Sequence, residues 1–213
     1  MRHAPIVPAR GTYRHGDLRR ALLEAGIELA RFGGPEAVTL REATRRVGVV
    51  PNAAYRHFAS QQDLLHAVRS AALAELAGSM ETELAMIGAD LSPSVFAMAS
   101  LRAVGAGYMR FARAEPGLFR TAFGTGPQAD RTLPAESADR SRLGPFQLLS
   151  LALDRMAAEN VLAAKRRPGA EYLAWSAVHG LAMLVIDGPL RGMDEQQIDA
   201  LIPRLLEMVE KGI

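Results

Sequence analysis

The amino-acid sequence predicts an all-α protein, in which an N-terminal three-helix unit containing a helix-turn-helix is joined to a larger C-terminal helical bundle. Apolar residues recur at helical spacing in successive segments of the 213 residues, which is the pattern of amphipathic helices. No segment shows the alternation of apolar and polar residues that is typical of strands. Glycine and proline separate the periodic segments, as they do at helix ends. The length allows one small and one larger module, or a single elongated helical body.

The first predicted helix runs from Asp17 to Phe32, because apolar residues line one face of that segment and the sequence Gly-Gly-Pro at 33–35 follows it. The helix-turn-helix then occupies residues 39–58. Ser60 caps a longer helix that runs toward Leu84 and links the N-terminal unit to the bundle. 

The bundle is predicted to contain four long helices and one short helix. The long ones are expected at Pro93–Ala114, Pro145–Ala163, Glu171–Asp187 and Asp194–Lys211, and the short one at 118–123. From Gly124 to Arg142 the chain is polar and is interrupted by glycine and proline. A connection of that length is typical of a mobile segment or a functional flap.

Residues Thr39–Phe58 predict two short helices joined by a tight turn. Leu40, Ala43 and Val47 fall at i, i+3 and i+7, which gives the first helix one apolar face. Thr39 stands at the N-cap, and a glutamate follows three residues later at the spacing of a capping box. The glycine at position 48 supplies the turn.

The second helix of this motif begins at Pro51, whose missing N–H costs nothing in a first turn. It carries Asn52, Tyr55, Arg56 and His57, which can hydrogen-bond to base edges or phosphates. A helix-turn-helix docks its second helix in the major groove. Double-stranded DNA is therefore the predicted partner. The alternative is an ordinary helical hairpin whose polar residues are merely solvated.

The charge distribution favours the DNA-binding interpretation. Residues 1–60 hold ten Lys/Arg and five Asp/Glu, a net charge of +5, whereas residues 61–213 hold fifteen and eighteen, a net charge of −3. A basic end on a mildly acidic body is the pattern of a protein that binds a polyanion. Residues 1–12 are predicted to form a flexible arm. Arg2 and Arg10 in it, and Arg14 just after it, could add phosphate or minor-groove contacts. A start without any role is an equally good interpretation.

Composition narrows the class of protein further. The chain contains no cysteine, which excludes disulfides and cysteine-ligated zinc. No apolar region typical of a secretory signal follows the first charges. The most apolar segment, 173–186, is shorter than the roughly 20 residues that a membrane span needs. We therefore expect a cytoplasmic protein without membrane contact.

Three stretches, YRHGDLRRALLEAG, TLREATRRVGV and AAYRHFAS followed by QQDLL, resemble the tetracycline-repressor (TetR) family of bacterial regulators. The resemblance runs from Tyr13 to about Val68. It implies a DNA-binding domain over residues 13–68 and an effector-binding and dimerisation domain over residues 69–213. It also implies a homodimer that binds a palindromic operator and leaves the operator when a small-molecule effector binds to the protein.

The resemblance assigns DNA contacts residue by residue. Positions matching the family's base-reading residues are Pro51, Asn52, Ala53 and Arg56, and of these Asn52 suits adenine and Arg56 suits guanine. Positions matching the backbone contacts are Thr39, Arg41, Tyr55, His57 and Gln61.

The sequence departs from the family's usual pattern at two of these places. Val50 replaces the usual Ser or Thr cap of the recognition helix, a loss worth about 1 kcal/mol in typical proteins. Gln61 replaces a lysine that often meets a phosphate. The Ser or Thr cap and the lysine contact are therefore expected to be missing.

The segment AWSAVHGLAMLVIDGPL resembles the Trp and His-Gly signature of one TetR subgroup, whose last two helices form the dimer interface. The resemblance places seven residues at that interface: Trp175, His179, Gly180, Leu184, Leu201, Leu205 and Met208. For His179, ordinary packing is a better interpretation than metal binding or catalysis, because no second histidine lies at ligand spacing.

The remaining body is expected to enclose the effector pocket. Candidate lining residues are Met98, Tyr108, Met109, Phe111, Phe119, Phe123, Phe146, Met156 and Trp175. For each one singly, plain core packing is the better interpretation, since any helical core supplies methionine and aromatic stripes. The scarcity of charged core positions favours an apolar or weakly polar effector, whose identity the sequence does not give.

The competing function is a helical small-molecule-binding protein or enzyme with an incidental basic N-terminal segment. The sequence offers no nucleophile–base motif, no phosphate-cradling glycine loop and no metal cluster. We therefore expect no catalytic residues, no metal and no cofactor. The sequence predicts a DNA-binding transcriptional regulator.

Overall fold

The structure, a computed structural model, describes residues 15–124 and 143–213. The arm predicted over residues 1–12, and the polar connection predicted beyond Gly124, lie outside the described residues. Within the described parts the chain is helical and contains no strand, which confirms the predicted all-α fold. The α-helices are α1 (His15–Gly33), α2 (Leu40–Val47), α3 (Pro51–Ala54), α4 (Gln61–Ala85), α5 (Pro93–Ala114), α6 (Pro116–Phe123), α7 (Pro145–Ala158), α8 (Ala170–Ile186) and α9 (Glu195–Gly212).

Helices α1 to α3 form an N-terminal unit, here called the head, together with the start of α4. Leu22 of α1 is fully buried, as are Leu64 and Val68 of α4. A Cβ at Gly26 would lie 2.8 Å from the Val68 side chain, so glycine lets α1 and α4 pack closely. Phe32, predicted on the apolar face of α1, is instead 80% exposed, because it lies at the end of the helix and to one side of the buried face.

Helix α4 connects the head with the rest of the chain, here called the body. Ser60 accepts a hydrogen bond from the Asp63 N–H, and the Asp63 carboxylate accepts one from the Ser60 N–H, each at 3.1 Å. This capping box fixes where the helix begins. Near the start of this 25-residue helix, Leu64 and Val68 are buried in the head. Near its end, Leu76 and Met80 are buried in the body. A single continuous apolar core therefore runs through both parts.

Helix α5 runs through the centre of the body and packs against α4, α7, α8 and α9. A Cβ at Gly107 would lie 2.5 Å from the Met80 Cα, so only glycine allows these backbones to approach so closely. Ser79 donates a hydrogen bond to the Gly107 carbonyl at 2.9 Å across the same contact. The contact joins α4 to the body by backbone packing.

Helix α7 is shorter than predicted, because it ends at Ala158 rather than Ala163. Asn160 has a left-handed backbone with φ of 56°. The N–H groups of Val161 and Leu162 both donate to the Met156 carbonyl, at 2.9 and 3.0 Å. Leu162 is then buried in the core. This helix end is hard to predict from the sequence, because asparagine rather than the usual glycine occupies the left-handed position after the helix.

Helix α6 bridges the head and the body. Its N-terminal end meets the last turn of α1, where Arg31 donates to the Glu115 carboxylate at 2.7 Å and lies 3.4 Å from the Glu75 carboxylate. At its other end, Arg69 of α4 donates to the carbonyls of Ala122 and Gly124 at 2.9 and 2.7 Å. Two arginines thus hold α6 in place, Arg31 of α1 in the head and Arg69 of the connecting helix α4.

We predict that Gly117→Ala destabilises the protein by roughly 1–3 kcal/mol, because overpacking forces the backbone to move. The added Cβ would lie 2.2 Å from the Arg31 carbonyl oxygen and 2.3 Å from that of Ala30. The free energy of unfolding in urea measures the effect. The matched control is Gly78→Ala in α4, where a Cβ meets nothing within 4 Å. This control should raise stability by about 0.5–1 kcal/mol, and equal losses in both variants would contradict the assigned contact.

Candidate functional site

The first candidate site is the surface of the helix-turn-helix. Thr39 accepts a hydrogen bond from the Glu42 N–H at 3.2 Å, as predicted for an N-cap. The Glu42 carboxylate instead accepts two hydrogen bonds from Arg45, at 2.6 and 2.8 Å, which hold the pKa of Glu42 below its usual range. Gly48 adopts φ of 75° and ends α2. The predicted turn is therefore present, while Glu42 serves as an ion-pair partner.

The apolar face of α2 packs as the sequence predicted. Leu40 and Ala43 are buried against the head. Thr44 is also buried, and its hydroxyl donates to the carbonyls of Leu40 and Arg41, with distances of 2.9 Å to each. The single hydroxyl proton is shared between these two carbonyls of the same helix. The hydroxyl is therefore satisfied, so a polar residue fits in this part of the core.

Helix α3 contains only Pro51–Ala54, which corrects the prediction of a helix as far as Phe58. Val50 occupies the N-cap and provides no side-chain hydrogen bond. The chain continues as a turn in which the N–H groups of His57 and Phe58 donate to the Ala54 carbonyl at 2.8 and 2.9 Å. Phe58 is buried and anchors the turn to the head. An uncapped first turn is consistent with so short a helix.

All nine residues predicted to contact DNA are exposed or half-buried. Exposed members are Arg41, Pro51, Asn52, Tyr55, Arg56 and Gln61, and half-buried members are Thr39, Ala53 and His57. Tyr55 is 56% exposed, so its ring is not a core residue.

The arginines of this surface differ in their partners. Arg45 and Arg46 pair with Glu42, at 2.6 and 3.7 Å. Arg41 and Arg56 form no ion pair with any residue in the described parts of the chain. These two guanidinium groups therefore keep their charge and donors available to a polyanion.

The second candidate site, here called the cavity, is a partly open pocket in the body, whose space, including the solvent at its mouth, is about 550 Å³. Four of the predicted pocket residues line it, namely Tyr108, Phe123, Phe146 and Trp175. The other five do not: Met109, Phe119 and Met156 are fully buried in the core, Phe111 is nearly so, and Met98 is half-buried. Sequence reasoning missed ten lining residues, namely Met80, Leu101, Val104, Gly105, Pro145, Leu149, Ala174, Val178, Leu206 and Val209.

An aromatic cluster forms one side of the cavity. The Tyr108 hydroxyl lies 2.7 Å from Nδ1 of His179 and accepts a hydrogen bond from Nε1 of Trp175 at 3.2 Å. Phe119 and Phe123 of α6 pack on this group, with ring centroids 5.6 and 5.0 Å from the His179 ring. Burial raises the pKa of Tyr108 and lowers the pKa of His179. Both groups are therefore uncharged near neutral pH.

The third candidate site, here called the apolar face of α8 and α9, consists of the exposed uncharged residues of α8 and the exposed Met208 of α9. Of the residues predicted at a dimer interface, Leu184 and Met208 are exposed, Gly180, Leu201 and Leu205 are half-buried, and Trp175 and His179 contact the aromatic cluster. The exposed stripe of α8 carries no charge, since it consists of Tyr172, Leu173, Ser176, Met183 and Leu184, with the half-buried Gly180 among them. A Cβ at Gly180 would meet nothing within 4 Å.

Neither metal-binding groups nor membrane spans were found in the described parts of the chain. No group of three or more His, Cys, Asp or Glu residues there could hold a metal ion. No helix within residues 15–124 and 143–213 is both long and apolar enough to cross a membrane.

We predict that Val50→Ser stabilises the head by about 1 kcal/mol, because a serine hydroxyl at this N-cap can accept the N–H of Asn52 or Ala53. Val50 is already 69% exposed, so losing its side chain removes little burial. Urea unfolding measures the difference. Val50→Ala is the matched control, since it shortens the side chain without adding an acceptor. If the alanine variant gains as much stability as the serine variant, capping is not the cause.

Two family models match the chain. The model of bacterial regulatory proteins of the tetR family matches residues 22–68. The model of the tetracyclin repressor-like C-terminal domain matches residues 101–209. A comparison with curated proteins found no match.

Solved structures share the fold over nearly the whole chain. A Rhodococcus protein of unknown function is 22% identical, with a TM-score of 0.67 over 95% of this chain and 98% of its own. The TetR family transcriptional regulator PfmR from Thermus thermophilus is 20% identical, with a TM-score of 0.56 over 89% and 97%. A TetR variant from Acinetobacter baumannii in complex with minocycline is 20% identical, with a TM-score of 0.55 over 90% and 93%.

The matches agree with the observed geometry. One family model covers the helix-turn-helix, and the other covers every lining residue of the cavity except Met80, together with the exposed residues of α8. The chain therefore belongs to the tetR family of bacterial regulatory proteins and is a DNA-binding transcriptional regulator.

Proposed function

We propose that this regulator is a homodimeric repressor that binds a palindromic operator and is released by a small-molecule effector. The observation that carries the DNA-binding part is the helix-turn-helix surface, where Arg41 and Arg56 have no ion-pair partner among the described residues while the neighbouring arginines do. The head comprises residues 13–68 and the body residues 69–213.

Two residues are assigned to base reading. Asn52 and Arg56 are exposed at α3 and the turn after it. An amide pairs well with the adenine edge, and a guanidinium pairs well with guanine. Pro51 and Ala53 lie beside them and offer apolar contact to a thymine methyl group.

Five residues are assigned to the DNA backbone. Phosphate contacts set the position of a protein on the duplex but do not by themselves read sequence. The assigned residues are Thr39, Arg41, Tyr55, His57 and Gln61. Of these, Gln61 supplies no positive charge.

The apolar face of α8 and α9 is assigned to a second copy of the chain. Leu173 of α8 is 63% exposed, and Met208 of the neighbouring helix α9 is 59% exposed. The exposed residues of α8 carry no charge. Soluble monomers rarely expose continuous apolar patches. A partner also has a mechanical role, because two heads on a palindrome combine their contacts.

The effector is assigned to the cavity of the body. Phe123 lines the cavity near the end of α6, while Gly117 near the start of α6 contacts the carbonyls of α1. Movement of α6 on ligand binding would therefore shift the head relative to the body. The Acinetobacter baumannii structure with minocycline supports a small-molecule role for this fold. An effector lowers DNA affinity only as far as it prefers the conformation whose heads are wrongly spaced.

The experiment that tests this function is selection of genomic DNA fragments by the purified full-length protein. Recovery of a shared inverted repeat would support a dimer on a palindrome. Recovery of unrelated fragments with no common sequence would contradict sequence-specific regulation.

We predict that Arg56→Ala weakens binding to the recovered operator by roughly 1–3 kcal/mol and relaxes its specificity, because a bidentate contact to guanine is lost. Fluorescence anisotropy with the operator and a scrambled duplex of equal length measures both effects. The matched control is Arg191→Ala, an exposed arginine of the body, which should leave both affinities unchanged.

A contrasting variant separates base contacts from phosphate contacts. Gln61→Lys should tighten binding to both duplexes equally and steepen the salt dependence by about one unit, as expected for one added phosphate contact. If Arg56→Ala weakens binding to both duplexes equally, Arg56 is a phosphate contact and its assignment to base reading is wrong.

We predict that Met208→Glu converts the dimer into a monomer, because it places an unpaired charge in a buried interface at a cost of several kcal/mol, roughly 3–5. Sedimentation velocity measures the oligomeric state. Met208 suits this test better than Leu205, because Leu205 packs partly against the core of its own subunit and its substitution would also disturb the fold. Ala200→Glu is the control, since it is exposed on the same helix but away from the apolar face. A Met208→Glu protein that stays dimeric would contradict this interface.

A further inference from the structure

The cavity wall offers very little polar chemistry. Twelve of its fourteen lining residues have no nitrogen or oxygen in the side chain, and none of the fourteen is charged. A charged ligand group would lose its water here without gaining a counterion, which is costly. The wall therefore favours a neutral ligand with a large apolar part.

The two remaining lining residues, Tyr108 and Trp175, are hydrogen bonded to each other. An indole N–H only donates, so the Tyr108 oxygen accepts the bond from Trp175 at 3.2 Å. The same hydroxyl lies 2.7 Å from Nδ1 of His179. These two contacts leave the indole donor satisfied and unavailable to a ligand.

The Tyr108 hydroxyl retains one further hydrogen-bonding capacity in either tautomer of His179. If the hydroxyl donates to Nδ1, one lone pair on its oxygen stays free; if Nδ1 donates, the hydroxyl proton stays free. Burial raises the pKa of Tyr108, so this group remains a neutral hydroxyl. Tyr108 is thus the one residue of the cavity wall whose side chain keeps an unused hydrogen-bonding position.

We propose that the effector is a neutral, predominantly apolar molecule, of the aromatic or polycyclic class, that makes one hydrogen bond to the Tyr108 hydroxyl. This inference rests on the proposed ligand-responsive function and names the chemistry of its ligand. Tyr108 is the specificity-determining residue, because the surrounding wall recognises only shape and apolar area.

Three ligands that share one ring system test the charge and the hydrogen bond. The neutral fluorescent probe N-phenyl-1-naphthylamine is bound to the full-length protein, and naphthalene, 2-naphthol and 2-naphthoate are used to displace it. We expect 2-naphthol to bind about fivefold more tightly than naphthalene, as one net hydrogen bond provides. We expect 2-naphthoate to bind at least about tenfold more weakly than 2-naphthol. Equal binding of the carboxylate and the alcohol would overturn the proposal.

A matched pair of variants on α7 tests the location. Leu149→Phe enlarges a residue of the cavity wall, whereas Leu151→Phe makes the same change two residues away at an exposed position that does not line the cavity. The first should lower probe affinity at least about tenfold, as expected when the space for the ligand is filled, and the second should not change it. Equal probe affinity in both variants would overturn the location. Binding of the probe to the apolar face of α8 and α9 would give that result.

Tyr108→Phe tests the hydrogen bond while keeping the aromatic ring. It is made in a Trp175→Phe background, because losing the hydroxyl would free the indole N–H, which could then donate to the alcohol. Trp175→Phe alone keeps the hydroxyl and should keep the preference for 2-naphthol over naphthalene, whereas the double variant should abolish it. A preference that survives in the double variant, or is lost in a folded Trp175→Phe, overturns the role of Tyr108.

The binding measurements need no DNA, so they separate this inference from the proposed function. If 2-naphthol binds as expected but operator affinity is the same with and without it, the ligand chemistry is supported and the compound is not a regulatory signal. If operator affinity falls with a charged ligand that does not displace the probe, the regulatory function is supported and the assigned chemistry is wrong.

Discussion

The close approach of α6 to α1 is the contact on which the arrangement of head and body depends. The backbone of Gly117 lies against the carbonyls of Ala30 and Arg31, with no space for even a methyl group. The ion pair between Arg31 and Glu115 joins the same two helices. Rigid backbone contacts transmit displacement better than long side chains, because packed interiors have little free volume. A displacement of α6 would therefore act directly on α1 through this contact.

Helix α6 is short, yet both of its ends are held by arginines of other helices, Arg31 of α1 and Arg69 of α4. Arg69 binds the carbonyls of Ala122 and Gly124 at its C-terminal end. Between these ends, Phe119 and Phe123 join the aromatic cluster at the cavity. A small change in the cavity therefore acts on a helix whose contacts with α1 and α4 are already formed. This is the physical basis on which binding in the body could alter the position of the head.

Helix α8 is apolar on two sides, one toward the cavity and one toward solvent. Its inner side supplies Ala174, Trp175 and Val178 to the cavity, while its outer side carries the uncharged stripe that includes Leu173 and Leu184. Apolar residues on both sides explain why this segment is the most apolar in the chain. The proposed ligand site and the proposed subunit interface are therefore separated only by the width of α8.

The sequence by itself determined the helical class, the helix-turn-helix and the family, because these depend on periodicity, caps and residue spacing within short segments. Thr39, Gly48 and Ser60 act locally, and each does so as predicted. The tertiary structure decided which side chains share the cavity: Tyr108 and Trp175 line it, whereas Met109 and Phe119 are core residues. Periodicity identifies a buried face but not which neighbour covers it. That choice depends on how the helices cross, and here glycines at 105, 107 and 117 set the crossings through contacts made with residues distant in sequence.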